Sequence, residues 1–197
     1  MELGPVPPLA PLLGLAERLA HTGRGHVVQA RTALHVGREG SPEAGAAAIL
    51  RALDALRSIG VRLFRPYHLA LLADVEGRAG LCDAASARVG EALREAQERG
   101  EWSYGAELHR LRGELALRQG RDASAAELAF RAALELARHQ AARAWELRAA
   151  VSLARLWADQ GERRKAHELL TLTYAWFTEG FGTPDLREAR ALLDELR

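Results

Sequence analysis

Catalysis needs side chains that attack, move protons or hold metals, so the search begins with those. Seven histidines are present: His21, His26, His35, His68, His109, His139 and His167. None stands in HExxH or another i,i+4 pairing with a carboxylate partner, the spacing that puts two metal ligands on one helix face. No serine occupies a G-x-S-x-G elbow. Cys82 is the single cysteine, which excludes a disulfide framework and a thiolate metal cluster. It is expected as a small helical residue facing the core. Gly23-Arg24-Gly25 follows an expected helix rather than a strand, so it reads as a turn and not as a phosphate cradle. No enzyme activity, cofactor or metal is expected.

What remains is binding chemistry, and it depends on the elements that carry the charges. Alanine occurs 39 times and leucine 33 times, against 16 for Ile, Val and Thr together. Ala and Leu are strong helix formers and β-branched residues are scarce, so the chain reads as all-α. No proline lies between Pro66 and Pro184, which leaves room for successive unbroken helices. The 27 basic and 26 acidic residues give a net charge of +1. That balance offers no drive toward nucleic acid, whose binding rests on neutralised phosphates. No apolar run is long enough for a membrane span and the start lacks a secretory pattern, so a cytoplasmic protein is expected.

Four glycines frame a repeat: Gly40, Gly80, Gly120 and Gly161, spaced 40, 40 and 41 residues apart. Each ends an apolar-periodic stretch and precedes a polar helix start, at Ser41, Asp83, Asp122 or Glu162. The following helices share a pattern: Gly45, Ile49, Ala52 and Leu53; Ala85, Val89, Ala92 and Leu93; Ala126, Phe130, Ala133 and Leu134; Ala166, Leu170, Thr173 and Tyr174. Before the glycine, Leu72-Ala73, Arg112-Gly113 and Leu153-Ala154 fall at one site, with Thr32-Ala33 at that site in the first unit. Small residues there let two helices approach closely. Second turns are expected near Gly60, Gly100 and Ala141.

The pattern predicts helices over 9–21, 25–38, 42–59, 65–79, 83–99, 102–119, 123–139, 142–160, 162–178 and 184–196, about ten in all. A Pro-rich arm spans 1–8. A single repeat domain over 9–197 contains units of about 25–60, 61–100, 101–141 and 142–180 and a capping helix at 184–196. A helix pair cannot bury its apolar face alone, so the units should stack as a solenoid of antiparallel pairs. Trp102, Trp145, Trp157 and Trp176 fall in expected helices, the middle two sharing 142–160, and are expected between helices, with Trp102 and Trp145 partly exposed near helix starts.

These units resemble tetratricopeptide repeats. The third unit matches through Gly113, Gly120, Ala126, Phe130, Ala133 and Leu134, and the fourth through Leu153, Ala154, Trp157, Gly161 and Ala166. The period exceeds the usual ~34 residues, and the inter-repeat proline is absent after the third unit. The longer period resembles the long-helix variant of large bacterial regulators. Over roughly residues 30–197, strings such as WELRAAVSLARLWADQGERRKAHELL and YAWFTEGFGTPDLREARALLDEL resemble the C-terminal repeat region of bacterial predicted ATPases. The ATPase module itself is not carried over, because no G-x-x-x-x-G-K-[ST] phosphate loop is present. The resemblance implies a repeat scaffold for protein contacts in bacterial signalling or regulation. The alternative is a small-molecule or peptide-sensing domain of a transcriptional regulator or ATPase.

In such units the inner face takes residues from the first helix of each pair. The second unit offers Tyr67, Ala70, Asp74, Gly77 and Arg78; the third Glu107, Arg110, Glu114, Leu117 and Arg118; the fourth Arg148, Val151, Arg155, Ala158 and Asp159. Stacking would align Arg110 with Arg148 and Arg155. Two arrangements fit: a clamp for a carboxylate of a protein or peptide partner, or a mixed-charge groove whose arginines pair with Glu114 and Asp159. The stretch with Leu9, Leu12, Leu13, Leu15, Ala16 and Leu19 is apolar nearly all round. It suits either a homodimer through residues 9–20 or a Pro-rich arm at 5–11 folded over it.

Overall fold

The structure is a computed structural model that describes residues 42–58, 60 and 64–197. The arm at 1–8, the expected helices at 9–21 and 25–38, and the homodimer expected through 9–20 lie outside those residues. Eight helices and no strand are present among the described residues: α1 (Pro42–Ser58), α2 (Arg65–Arg78), α3 (Cys82–Arg99), α4 (Gly105–Arg118), α5 (Ala123–His139), α6 (Arg143–Asp159), α7 (Arg163–Tyr174) and α8 (Pro184–Leu196). The all-α reading holds. None of these helices is long and apolar enough to cross a membrane.

The punctuation follows the expected residues. Gly80, Gly120 and Gly161 have positive φ, as do Gly60 and Gly100 between pairs. The third such junction is made by Ala141 at φ 52°, a left-handed conformation in a residue with a Cβ. Prolines open α2 and α8, where their missing N–H costs nothing. The polar helix starts act unequally. Asp122 caps α5 by accepting from the Ser124 amide at 3.1 Å, whereas Thr183 precedes α8 without a side-chain cap.

Two boundaries differ from expectation. Helix α4 begins at Gly105, not 102, because Trp102–Tyr104 form a turn closed by the Gly105 amide on the Trp102 carbonyl at 2.9 Å. Helix α7 ends at Tyr174, because Phe177 N–H bonds back to the Tyr174 carbonyl and turns the chain toward α8. Trp176 therefore sits outside a helix and is 61 % exposed, with the Arg143 guanidinium 3.7 Å from its ring centroid. Trp157 is buried as expected, and Cys82 is half-buried at the start of α3.

Consecutive helices pack along the chain, and a second set of contacts joins α2 to α4, α4 to α6, and α6 to α8. Among the described residues α1, α3, α5 and α7 make no such contacts with one another. The first helices therefore form an inner layer and the second helices an outer one. Burial agrees: α2 buries ten of its fourteen residues, while α3 buries only the stripe Ala85, Val89, Ala92 and Ala96. Close approach relies on small residues. A Cβ on Gly105 would stand 2.7 Å from both Leu136 and Trp102.

Candidate functional site: a charged groove on the inner helices

The inner helices present one face away from their outer partners, and there four of them share a cleft of about 300 Å³. Helix α2 supplies Asp74 and Arg78, α4 supplies Arg110, Glu114 and Arg118, and α6 supplies Arg148, Ser152 and Arg155. Helix α8 adds Asp185 and Glu188. Seven of the eight singled-out positions thus converge. The eighth, Tyr67, does not line the cleft. Its ring packs edge-on against Tyr104 at 4.7 Å, and Tyr104 packs likewise on Trp145 at 4.8 Å. Trp102 instead stacks on His109.

The floor of the cleft is an ion network centred on Glu107, whose side chain is 6 % exposed. Arg110 grips it through Nε to Oε2 and Nη2 to Oε1, both at 2.8 Å. From the next inner helix, Arg148 Nη2 donates to Oε1 at 2.7 Å. The remaining Arg110 nitrogen, Nη1, reaches Glu114 at 3.3 Å and the Ser152 hydroxyl at 3.4 Å. Ser152 in turn donates to Glu114 at 2.8 Å. Burial pulls the Arg110 pKa down, but Glu107, Glu114 and Asp74 outweigh it and hold the value above the ordinary one. Arg110 is a fixed part of the wall.

That geometry corrects the carboxylate clamp. The Arg110 donors are already engaged, and only 12 % of its side chain is exposed. The mixed-charge arrangement is present, with Glu114 in it but with different partners elsewhere. Arg155 pairs with Glu188 at 2.6 Å, and no ion pair joins it to Asp159 among the described residues.

The rim is looser. Arg78 pairs with Asp74 at 3.2 Å. Arg118 donates from Nη1 to the Gly77 carbonyl at 2.8 Å and has no ion pair among the described residues. Asp185 has a single 3.9 Å approach to Arg148, a guanidinium already held by Glu107.

Asp185, Glu188 and Ser152 were missed from sequence. Tyr67, Glu107 and Arg148 fall 40 and 41 residues apart, and another step of 40 reaches Glu188. Treating α8 purely as a cap hid that signal. Ser152 was visible as the one hydroxyl in the run AAVSLA. Ala70, Glu107, Leu117, Ala158 and Asp159 were expected on this face but do not line the cleft, Glu107 lying buried beneath it.

Among the described residues no group of three or more His, Cys, Asp or Glu is arranged to hold a metal. No protein-family model matches the chain, and no curated protein matches it.

Proposed function

We propose that the chain is a non-catalytic protein-interaction scaffold of tetratricopeptide-like architecture, with its helix pairs stacked as a superhelix and its inner groove receiving a peptide segment. One observation carries this: four successive inner helices line a single cleft while the outer helices stay apart. Convergence of side chains from α2 through α8 on one volume is what a curved stack of pairs produces. A cleft of about 300 Å³ takes a few side chains of a partner, not a folded domain.

A small-molecule sensor is the weaker reading. Small-ligand pockets are mostly apolar with few polar groups, whereas five arginines and four carboxylates crowd this cleft. The resemblance to bacterial ATPase repeat regions supports a place in cytoplasmic signalling, with a protein rather than nucleic acid or membrane as partner.

The test is affinity capture from the native host, followed by hydrogen exchange on the captured complex. Protection over α2, α4 and α6 is expected. Protection confined to α3, α5 and α7 would overturn the groove reading, as would a captured small metabolite that protects the cleft without any protein.

A further inference from the structure

Charge bookkeeping across the groove leaves two groups over. The floor closes on itself: Arg110 and Arg148 face Glu107 and Glu114. On the rim, Arg78 is matched by Asp74 and Arg155 by Glu188. Arg118 and Asp185 remain. Arg118, at the end of α4, spends one nitrogen on a backbone carbonyl and has no carboxylate partner among the described residues. Asp185, in the first turn of α8, is 40 % exposed, and its one ion-pair partner among the described residues, Arg148, is 3.9 Å away and bound more closely to Glu107.

These two charges lie on different inner helices of one cleft, α4 and α8, with α6 packed between them. Arg118 is anchored, because the Gly77 carbonyl fixes its guanidinium against α2, and Asp185 stands in the first turn of α8. An anchored charge loses little freedom on pairing and so recognises more strongly than a mobile one. A partner with only carboxylates satisfies Arg118 but meets Asp185, Glu188 and Asp74 as like charges. A partner with only amines meets the reverse problem at Arg118, Arg78 and Arg155.

Resting on the groove reading above, we propose that the cleft selects a peptide segment of split charge. A carboxylate is seated by Arg118 and an ammonium or guanidinium group by Asp185. Both contacts are charge-assisted hydrogen bonds, the strong kind, and together they fix the direction in which the segment lies.

The experiment uses the full chain and fluorescently labelled, capped Gly/Ser peptides. One set carries glutamates at one end and lysines at the other, in both chain directions; the others carry only glutamates or only lysines. Anisotropy at low salt should show a split-charge peptide binding about tenfold more tightly than either single-charge peptide. Arg118→Glu should shift preference to the all-lysine peptide, and Asp185→Lys to the all-glutamate peptide. A protein merely loosened by substitution would weaken toward all probes without changing their order. Should a reversal fail to fold, Arg118→Gln and Asp185→Asn must still erase the split-charge advantage. Equal binding of all probes, binding of none, or an unchanged order in the variants overturns the inference. If a captured protein protects the groove yet binds both reversal variants like the parent, the scaffold reading stands and the split-charge inference falls.

Discussion

The ring of Phe130 occupies the space that a side chain on Gly113 would need. A Cβ built there would stand 2.7 Å from Cδ1 and 2.9 Å from Cζ of that ring. Gly113 is on inner helix α4 and Phe130 on outer helix α5, so this contact sets how close the pair lies. Phe130 is fully buried and cannot swing into solvent. Gly113→Ala should therefore destabilise by roughly 1–3 kcal/mol through overpacking, despite alanine's better helix propensity. Chemical denaturation measures it, and Phe130→Leu in the same chain should recover part of the loss. A Gly113→Ala protein as stable as the parent would contradict the close approach.

That pair was legible in the sequence because a repeat of 40 to 41 residues brings the same face round each time. Gly113 fell at the small-residue site, and Phe130 at the large-residue site of the following helix. The groove was legible for the same reason: positions spaced by the period return to the inner face, whatever their chemistry. What those positions do was less visible. Glu107 and Arg110 are three apart on one helix, so they pair before either can meet a partner. The end of α7 was misplaced because no glycine or proline follows until Gly180, while a local turn from Tyr174 to Phe177 closes the helix first. Asp185 and Glu188 were less visible because 184–196 was expected only as a capping helix, outside the repeating units.

Arg110 and Arg155 should respond unequally to substitution. Removing Arg110 strips a buried carboxylate of its bidentate partner and leaves Glu107 with Arg148 alone. Breaking a buried pair from one side costs about 3–5 kcal/mol. Arg155 and Glu188 are 52 % and 44 % exposed. Arg155→Ala should cost less than about 1 kcal/mol, as exposed ion pairs do. Thermal melts of Arg110→Ala and Arg155→Ala side by side decide it. Equal, small losses would show that the Glu107 network is not structural.

Ala141 turns the chain between α5 and α6 with a φ of 52°, where glycines serve at the matching Gly60 and Gly100 junctions. A left-handed alanine costs about 1–2 kcal/mol, and glycine removes most of that while adding backbone freedom to the unfolded chain. Ala141→Gly should thus stabilise by about 0.5–1 kcal/mol, read as a higher denaturation midpoint with an unchanged slope. A lower midpoint would mean that the methyl group makes contacts outweighing the strain.

His109 predicts a pH dependence. Burial, aided by the nearby Arg112 charge, pulls its pKa down to about 4. The unfolded chain therefore binds a proton between pH 6.5 and 4 that the folded chain refuses, so stability falls as pH drops through that window. His68, also lowered by burial against an opposing bond to the Phe64 carbonyl, acts in the same direction. Glu76, raised by burial against the pull of Arg88, acts in the opposite sense above its ordinary value. Comparing the parent with His109→Gln isolates the one group. The variant should lose less stability between pH 7 and 5, and an identical loss in both proteins would exclude His109 as a contributor.

Helix α8 packs on α6 and α7, and its removal should be felt at once. Leu186, Ala189, Leu192, Leu193 and Leu196 are buried in a cluster with Leu153, Leu170 and Trp157, while Arg187, Arg190 and Glu195 face outward. One apolar stripe and one polar face are what a helix covering the edge of a helical core needs. Each leucine lost from such a cluster removes about 1.5–3 kcal/mol of burial, against a total stability of roughly 5–15 kcal/mol for a domain. Truncation after Gly182 also uncovers the opposite wall of the cluster on α6 and α7. The truncated chain should melt at a lower temperature and form aggregates by light scattering. Replacing only the outward Arg187 and Arg190 by glutamine should leave both properties unchanged, because those side chains cover no core. A truncated chain that stays monodisperse and melts with the parent would show that α8 does not seal this end.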